Sequence, residues 1–471
     1  MITNETSTAA RLTACLSKRH QTIRGFGCSA CWWAPGMGTS SQAHDFLRQL
    51  FTEEGLGMNT LRVNIGGSVL EDGTDSNPPA PSWRSVRSPL KEDGTYDIRR
   101  CQGTWSILEE AMRLGTITDL TLFMNSPPST MTKNKKTSSD PSGQENVFIS
   151  NLREDCYPAY AKYVTDVTEL YINAGFPVRY VSPVNEPQWA WDGGQEGCHF
   201  EPEELIAFYR ILIPEFEGRK KQNPAMKDVR LSLPETAQWY QKPYVHELYE
   251  LLCTDPVIAP CVDHFCAHSY GTTREQKEAF AAFADGLGNR LPLHQTEYGG
   301  MHPYYDPTME MALELAVVLY EDLSILHTDS WSWWLGVGSF TYTDGLICYD
   351  ADKDHTEIPK RYYVMQQHSR FLKDHTCVDV RTDHLPDAFC ASAFLSEDET
   401  ELVWELVNPD TTAVTLCIEQ LPEDALGRIY ETSEYKNADY TGTISAGQYL
   451  TVPGRSVVTI VYRMSGEGRL S

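Results

Sequence analysis

The sequence has no run of about 18 apolar residues, so a helical membrane span is excluded. Its first twenty residues, MITNETSTAARLTACLSKRH, hold no apolar core of the kind a secretory leader needs. Paired cysteine spacing is missing too. The thirteen cysteines are odd in number and scattered from Cys15 to Cys417, the usage of a chain kept in a reducing compartment. The expectation is therefore a cytoplasmic protein, although a secreted chain trimmed of its leader would read the same. Positive charge is scarce. Lys and Arg number 39 against 65 Asp and Glu, a net charge of −26 that repels nucleic acid and anionic membrane surfaces. No internal repeat occurs. With 41% apolar and 22% charged residues, the chain is neither disordered nor a small disulfide scaffold.

Aromatic residues, in contrast, are plentiful: 11 Trp and 24 Tyr among 471 residues, enough to suggest a ligand held by stacking. From about residue 22 to 374, apolar strand runs alternate with amphipathic helical runs. Strands are expected at Thr22–Gly25, Asn59–Asn64, Asp119–Met124, Arg179–Val184, Val229–Leu233, Val262–Ala267, Pro292–Thr296 and Ser330–Trp334. The clearest helix is Tyr157–Ala174, where Tyr160, Tyr163, Val164, Val167, Leu170, Tyr171 and Ala174 share one face; Met309–Leu326 and Pro359–Leu372 are similar. Eight strand–helix units argue for a closed (β/α)8 TIM barrel, an α/β fold. After about Lys373 no helical pattern survives. Ala388–Leu395, Glu401–Val407, Ala413–Leu421, Arg428–Glu431 and Tyr449–Met464 read as an antiparallel β-sandwich side domain. The expected division is residues 1–20 as an N-terminal strand joining that β-domain, 21–375 as the barrel and 376–471 as the sandwich. Residues 71–98 and 132–147 read as surface loops.

Barrel active sites are built at the C-terminal ends of the strands. There the sequence places Arg62 and Asn64, Asn185-Glu186-Pro187, Glu235, His268-Ser269-Tyr270, Glu297-Tyr298-Gly299, Trp331-Ser332-Trp333-Trp334 and, after the first strand, Trp32-Trp33. Two carboxylates at opposite strand mouths, ringed by aromatics, suit glycosidic bond cleavage. One protonates the leaving oxygen while the other stabilises or attacks the anomeric carbon, and about 5–5.5 Å between them gives retention. A lone Asn-Glu-Pro tripeptide would more often be a turn. The pair Glu186 and Glu297, with Arg62, His268 and Tyr270 at other strand ends, makes the catalytic reading the stronger one.

The chain resembles the glycoside hydrolases of clan A, and within them family 30. The resemblance is carried by Gly25-Phe26-Gly27, Leu61-Arg62, Ser126-Pro127-Pro128 with Met131, Ser182 through Pro187, Glu297-Tyr298-Gly299 and Asp344-Gly345-Leu346-Ile347. It continues in Lys360-Arg361-Tyr362-Tyr363, Ser369-Arg370-Phe371 and Pro453-Gly454-Arg455-Ser456-Val457, in family order over most of the chain. It implies a barrel with a side β-sandwich and a retaining double displacement. Glu186 would be acid/base and Glu297 nucleophile, with Asn185 on the sugar 2-hydroxyl and Tyr270 and Arg62 orienting the nucleophile. Cys31-Trp32-Trp33-Ala34, Asn185 through Trp189 and Gln195-Glu196-Gly197-Cys198 resemble the β-1,6-galactanase branch. The substrate would then be a β-1,6-galacto-oligosaccharide. β-Glucosidase or β-1,6-glucanase, β-xylosidase and β-fucosidase activities, or transglycosylation by the same pair, are the alternatives. A non-enzymatic sugar-binding module would have no need of both glutamates.

Weaker signals are read conservatively. Cys28-Ser29-Ala30-Cys31 lacks the second pair a zinc site needs. His264, Cys266 and His268 alternate along one strand, about 6.5–7 Å apart, too far to share an ion. Neither a metal nor a cofactor is expected. Trp33, Trp189 and Trp333 are candidates for stacking on sugar, and Glu235 for a substrate contact. The β-domain, with Trp404 as its one large indole, is expected to pack against the barrel rather than bind carbohydrate.

Overall fold

Beginning at the N-terminus, strand β1 (Ala10–Thr22) is followed by the parallel barrel strands: β2 (Gly25–Ser29), β3 (Thr60–Ile65), β4 (Asp119–Met124), β5 (Val178–Ser182), β6 (Arg230–Leu231), β7 (Pro234–Thr236), β8 (Phe265–His268), β9 (Leu293–Tyr298) and β10 (Thr328–Gly338). These are seen in a computed structural model that describes residues 9–79, 82, 84–139 and 150–464. Their order in the sheet is β6-β5-β4-β3-β2-β10-β9-β8-β7. The ring closes through the fifth strand, which is split: Arg230 and Leu231 pair with β5, while Pro234 and Thr236 pair with β8. The sequence expectation of one strand over Val229–Leu233 is corrected accordingly. Pro234 has no N–H to give to a ladder, and Glu235 is left-handed at φ 60°.

A helix follows each barrel strand in the chain: α1 (Trp33–Met37) with α2 (Ala43–Phe51), then α3 (Gln102–Leu114), α4 (Tyr157–Asn173), α5 (Pro202–Gln222), α6 (Tyr244–Thr254), α7 (Arg274–Gly286), α8 (Met309–Ser324) and α9 (Lys360–Phe371). The fold is a (β/α)8 barrel with a second sheet of mainly antiparallel strands. In α4 most of the apolar positions expected to share a face are buried, with Tyr160, Val164, Val167 and Tyr171 each 3% exposed or less, while Leu170 is half-buried and Ala174, just past the helix end, is exposed. The first barrel strand begins three residues later than expected, because Thr22 ends β1 and pairs with Thr376 in the other sheet. Gly27 in β2 lies so close to β3 that a Cβ would stand 2.4 Å from the Thr60 carbonyl oxygen.

The remaining strands are β11 (Gly345–Asp350), β12 (His355–Glu357), β13 (His375–Asp383), β14 (Cys390–Ser396), β15 (Glu401–Asn408), β16 (Val414–Ile418), β17 (Leu426–Thr432), β18 (Asp439–Ser445), β19 (Tyr449–Val452) and β20 (Ser456–Arg463). A nine-stranded sheet runs β18-β17-β20-β15-β14-β13-β1-β16-β19. β1 pairs antiparallel with β13 and parallel with β16. Leu12, Leu402, Trp404, Leu406, Leu416 and Ile460 are fully buried in its core.

The chain divides into two compact units. One comprises Phe26–Gly299 and Trp331–Val337 and holds the barrel strands; the other comprises Met1–Gly25, Gly300–Ser330 and Gly338–Ser471. Helices α8 and α9 therefore belong with the nine-stranded sheet, whereas the sequence texture changes from helix to strand only near residue 375. Gln367 on α9 gives its amide to the Thr459 hydroxyl at 2.9 Å, and Phe371 lies 4.7 Å from the Tyr430 ring.

The loop readings at 71–98 and 132–147 extend in part beyond the described residues. What is described of them is packed rather than loose. Asp75, 3% exposed, accepts from the Val69 and Leu70 backbone N–H groups at 2.6 and 3.1 Å and from Ser68 at 2.7 Å. All thirteen cysteines are free thiols.

Candidate active site

Residues from five strands meet inside the barrel mouth. Arg62 lies on β3, Asn185 and Glu186 just past β5, Glu235 on β7, His268 at the end of β8 with Tyr270 beyond it, and Glu297 on β9. Alternation along each strand sends Arg62 and Glu297 to the inner face. Glu186 (φ 44°) and Glu235 (φ 60°) both hold left-handed backbone, a conformation a non-glycine residue keeps only where its surroundings enforce it. The Glu186 N–H donates to the Glu235 carbonyl at 2.8 Å, tying the two irregular turns together.

Three carboxylates and two cationic side chains share this space, each of them buried. The Arg62 guanidinium pairs with Glu297 Oε2, donates to Asn185 Oδ1 at 2.7 Å and lies 3.7 Å from Glu235 Oε2. Its planar face covers the Phe123 ring at 3.9 Å. Tyr270 donates its hydroxyl to Glu297 Oε1 at 3.1 Å. His268 bridges the glutamates, with Nδ1 2.8 Å from Glu186 Oε1 and Nε2 3.3 Å from Glu235 Oε2. Glu235 is fully buried and also accepts from the Ser182 and Thr296 hydroxyls.

The titration of each group follows from these neighbours. Burial works against a charge on Glu235, but Arg62, His268 and Ser182 outweigh it and bring its pKa to about 2. Burial likewise opposes a charged His268, but Glu297, Glu186 and Glu235 raise it to about 9. Glu186 is pushed above the ordinary carboxylate value, chiefly by burial and also by Glu297, against the pull of His268. At neutral pH, Glu235 is thus ionised and His268 is an imidazolium, while Glu186 holds its proton more firmly than an ordinary carboxylic acid. Arg62 stands against Glu297 and Glu235, and His268 against Glu186 and Glu235.

One ligand atom from each of Glu186, His268 and Glu297 lies within 4.8 Å of the others. The same spacing could hold a cation, but an imidazolium that donates to Glu186 has no lone pair to offer one. His264, from the alternating strand trio, is instead engaged by Ser232 at 3.0 Å and Asp263 at 2.6 Å and stacks on His294.

The aromatic candidates fall in different places. Trp189 is 40% exposed, and its N–H donates to the Glu186 carbonyl at 3.2 Å. Trp333, expected at the cleft, is fully buried against Tyr298 and Trp331; Trp33 is buried with its indole N–H on the Ser29 carbonyl at 2.9 Å. Neither presents an open ring face. The residue one step along β10 takes the opposite side: Trp334 meets Trp32 edge-on at 5.1 Å and Phe123 at 6.3 Å, beside Arg62. Trp32 is in turn capped by Arg84 at 4.5 Å. Period-two alternation counted from the correct end of β10 would have selected Trp334; the expected strand stopped short and gave no such register. Glu196, also missed, is buried with its carboxyl pushed far up by desolvation and accepts from the Gly67 N–H at 3.3 Å.

The chain is 23% identical over 385 residues to an endo-beta-1,6-galactanase of Hypocrea rufa, covering 75% of this chain and 72% of that protein. It is 24% identical over 370 residues to a glucuronoxylanase of Bacillus subtilis (strain 168), covering 78% and 71%. In fold it is similar to the crystal structure of a conserved exported protein from Bacteroides fragilis, with a TM-score of 0.82 at 19% identity over 96% of this chain and 99% of that one. The family model of O-glycosyl hydrolase family 30 matches residues 9–348. The chain belongs to that family and is a glycoside hydrolase.

Proposed function

We propose that this glycoside hydrolase cleaves β-1,6-linked galacto-oligosaccharides with retention, using Glu297 as nucleophile and Glu186 as acid/base. The observation that carries the mechanism is the spacing. Oxygens of the two carboxylates lie within 4.8 Å, which suits direct attack and leaves no room for the water that an inverting pair needs at about 6.5–9.5 Å. His268 donates to Glu186 Oε1, so the acidic proton sits on Oε2 and is delivered to the glycosidic oxygen. As the C–O bond breaks, Glu297 attacks the anomeric carbon, held by Arg62 and Tyr270. The resulting ester is neutral. The push that Glu297 exerts on Glu186 is then relieved, and Glu186 takes a proton from the water that releases the sugar. Asn185, fixed by Arg62, is placed to hold the 2-hydroxyl.

Resemblance to the galactanase supports the choice of sugar and linkage. A panel of aryl β-galactoside, glucoside, xyloside and fucoside, run beside β-1,6-linked galacto- and gluco-oligosaccharides, tests it. Preference for any glycone other than galactose overturns the substrate while leaving the mechanism standing. Thirteen free thiols support action in a reducing compartment on imported oligosaccharides. Activity found outside the cytoplasm on cell fractionation would reverse that placement.

A further inference from the structure

The unit that holds the nine-stranded sheet contains a cleft of about 640 Å³, in the size range of small-ligand sites. Two sequence motifs with no part in the catalytic cluster line it: Lys360 opens the Lys-Arg-Tyr-Tyr run, and Pro453, Gly454 and Arg455 open the Pro-Gly-Arg-Ser-Val run. The opposite wall is the β17–β18 turn, which carries Glu434 and Tyr435. Tyr435 is 87% exposed, the largest value among the big apolar side chains described. The turn that carries Arg455 is held in one conformation. A Cβ on Gly454 would stand 2.1 Å from the Thr411 carbonyl oxygen, and Arg455 holds a left-handed φ of 53°.

The electrostatics select the ligand. Three cations border the cleft, and four carboxylates answer them. Lys436 pairs with Glu431 at 2.7 Å and Arg455 with Glu310 at 2.7 Å; Lys360, bonded to the Lys436 carbonyl and Asn437, feels the charges of Asp439 and Glu434. Such a balance offers little to a phosphate or polyanion, which needs uncompensated positive charge. The polar lining equally disfavours an apolar ligand. An open aromatic ring beside fixed, planar, charged hydrogen-bonding groups matches a neutral pyranose, whose C–H face stacks while its vicinal hydroxyls bridge donor and acceptor. We propose that this cleft is a second, non-catalytic saccharide-binding site, with Tyr435 as its stacking platform. The identity of the ligand class rests on the glycoside hydrolase reading of the chain.

The test uses the full chain with Glu297→Gln, which prevents digestion, in native gels cast with β-1,6-galactan, β-1,6-glucan or glucuronoxylan. The proposal expects at least one polysaccharide to retard it. Tyr435→Ala should weaken that retardation about five- to tenfold and Tyr435→Phe should keep it. In the chain with Glu297 intact, Tyr435→Ala should leave kcat/KM on an aryl β-glycoside unchanged. No retardation by any of the three, or equal retardation of Tyr435→Ala, overturns the site. Tyr435-dependent retardation in a chain that hydrolyses no β-glycoside keeps the site and removes the catalytic reading, so the two fail separately.

Discussion

Glu235 occupies the floor of the carboxylate cluster, fully buried between Arg62, His268 and two hydroxyls. In that place it acts through its neighbours rather than on a sugar, so it is a positioning residue. Glu235→Gln should leave Arg62 and His268 with too little negative charge, cost about 3 kcal/mol or more of stability and lower the His268 pKa from about 9. A histidine titration by NMR that stays unmoved would contradict this. Glu297→Gln should abolish turnover, and it should also lower the pKa of Glu186 by removing the adjacent negative charge, measurable by carbon NMR on labelled Glu. Glu186→Gln should burst and stall on an activated aryl glycoside, with azide rescuing it as the β-glycosyl azide; an α-azide would exchange the two roles. The alkaline limb of kcat/KM follows the ionisation of Glu186, above the ordinary carboxylate range. Glu186 and Glu297 stand out as candidates in the sequence because each closes or follows an apolar strand run, and the structure brings both into one cluster. Trp333 and Trp334 are equally conspicuous in the sequence, and which of them faces Arg62 depends on the register of β10.

The barrel strands could be read because burial on both faces makes them near-continuous apolar runs. The fifth broke that pattern where Pro234 and the left-handed Glu235 divide it in two. The nine-stranded sheet was harder. β18 is exposed over most of its length, and β13 is polar over its C-terminal half, so neither carries an apolar signature. Tyr449–Met464 read as one strand but is two, turned at Pro453-Gly454. Element contacts also set tolerance to change. Gly27→Ala would drive a methyl into the Thr60 carbonyl and push β2 off β3, lowering stability by about 1–3 kcal/mol. Chemical denaturation showing no loss would mean the two strands can part without cost.

Across the whole molecule, buried titrating groups fix the dependence of stability on pH. His268, raised to about 9, contributes stability that is complete below pH about 6.5 and lost as pH climbs through 9, on the order of 3 kcal/mol. His368, lowered to about 4 by burial, works the other way: its contribution is complete above about 6.5 and lost as pH falls toward 4. Glu235 adds stability that is present above about 4.5 and lost toward 2. Thermal unfolding should therefore peak near pH 6.5 and decline on both sides. With a net charge of −26, added salt should raise the midpoint at pH 8 more than at pH 5.5. A flat profile from pH 4 to 9 would show that these groups titrate alike in the folded and unfolded chain. The catalytic claim is tested most directly by trapping the glycosyl-enzyme with a 2-deoxy-2-fluoro β-glycoside carrying a good leaving group, then mapping the label by mass spectrometry. The account predicts one sugar per chain, on the peptide containing Glu297. A label on Glu186, or turnover that forms no covalent adduct, would contradict it.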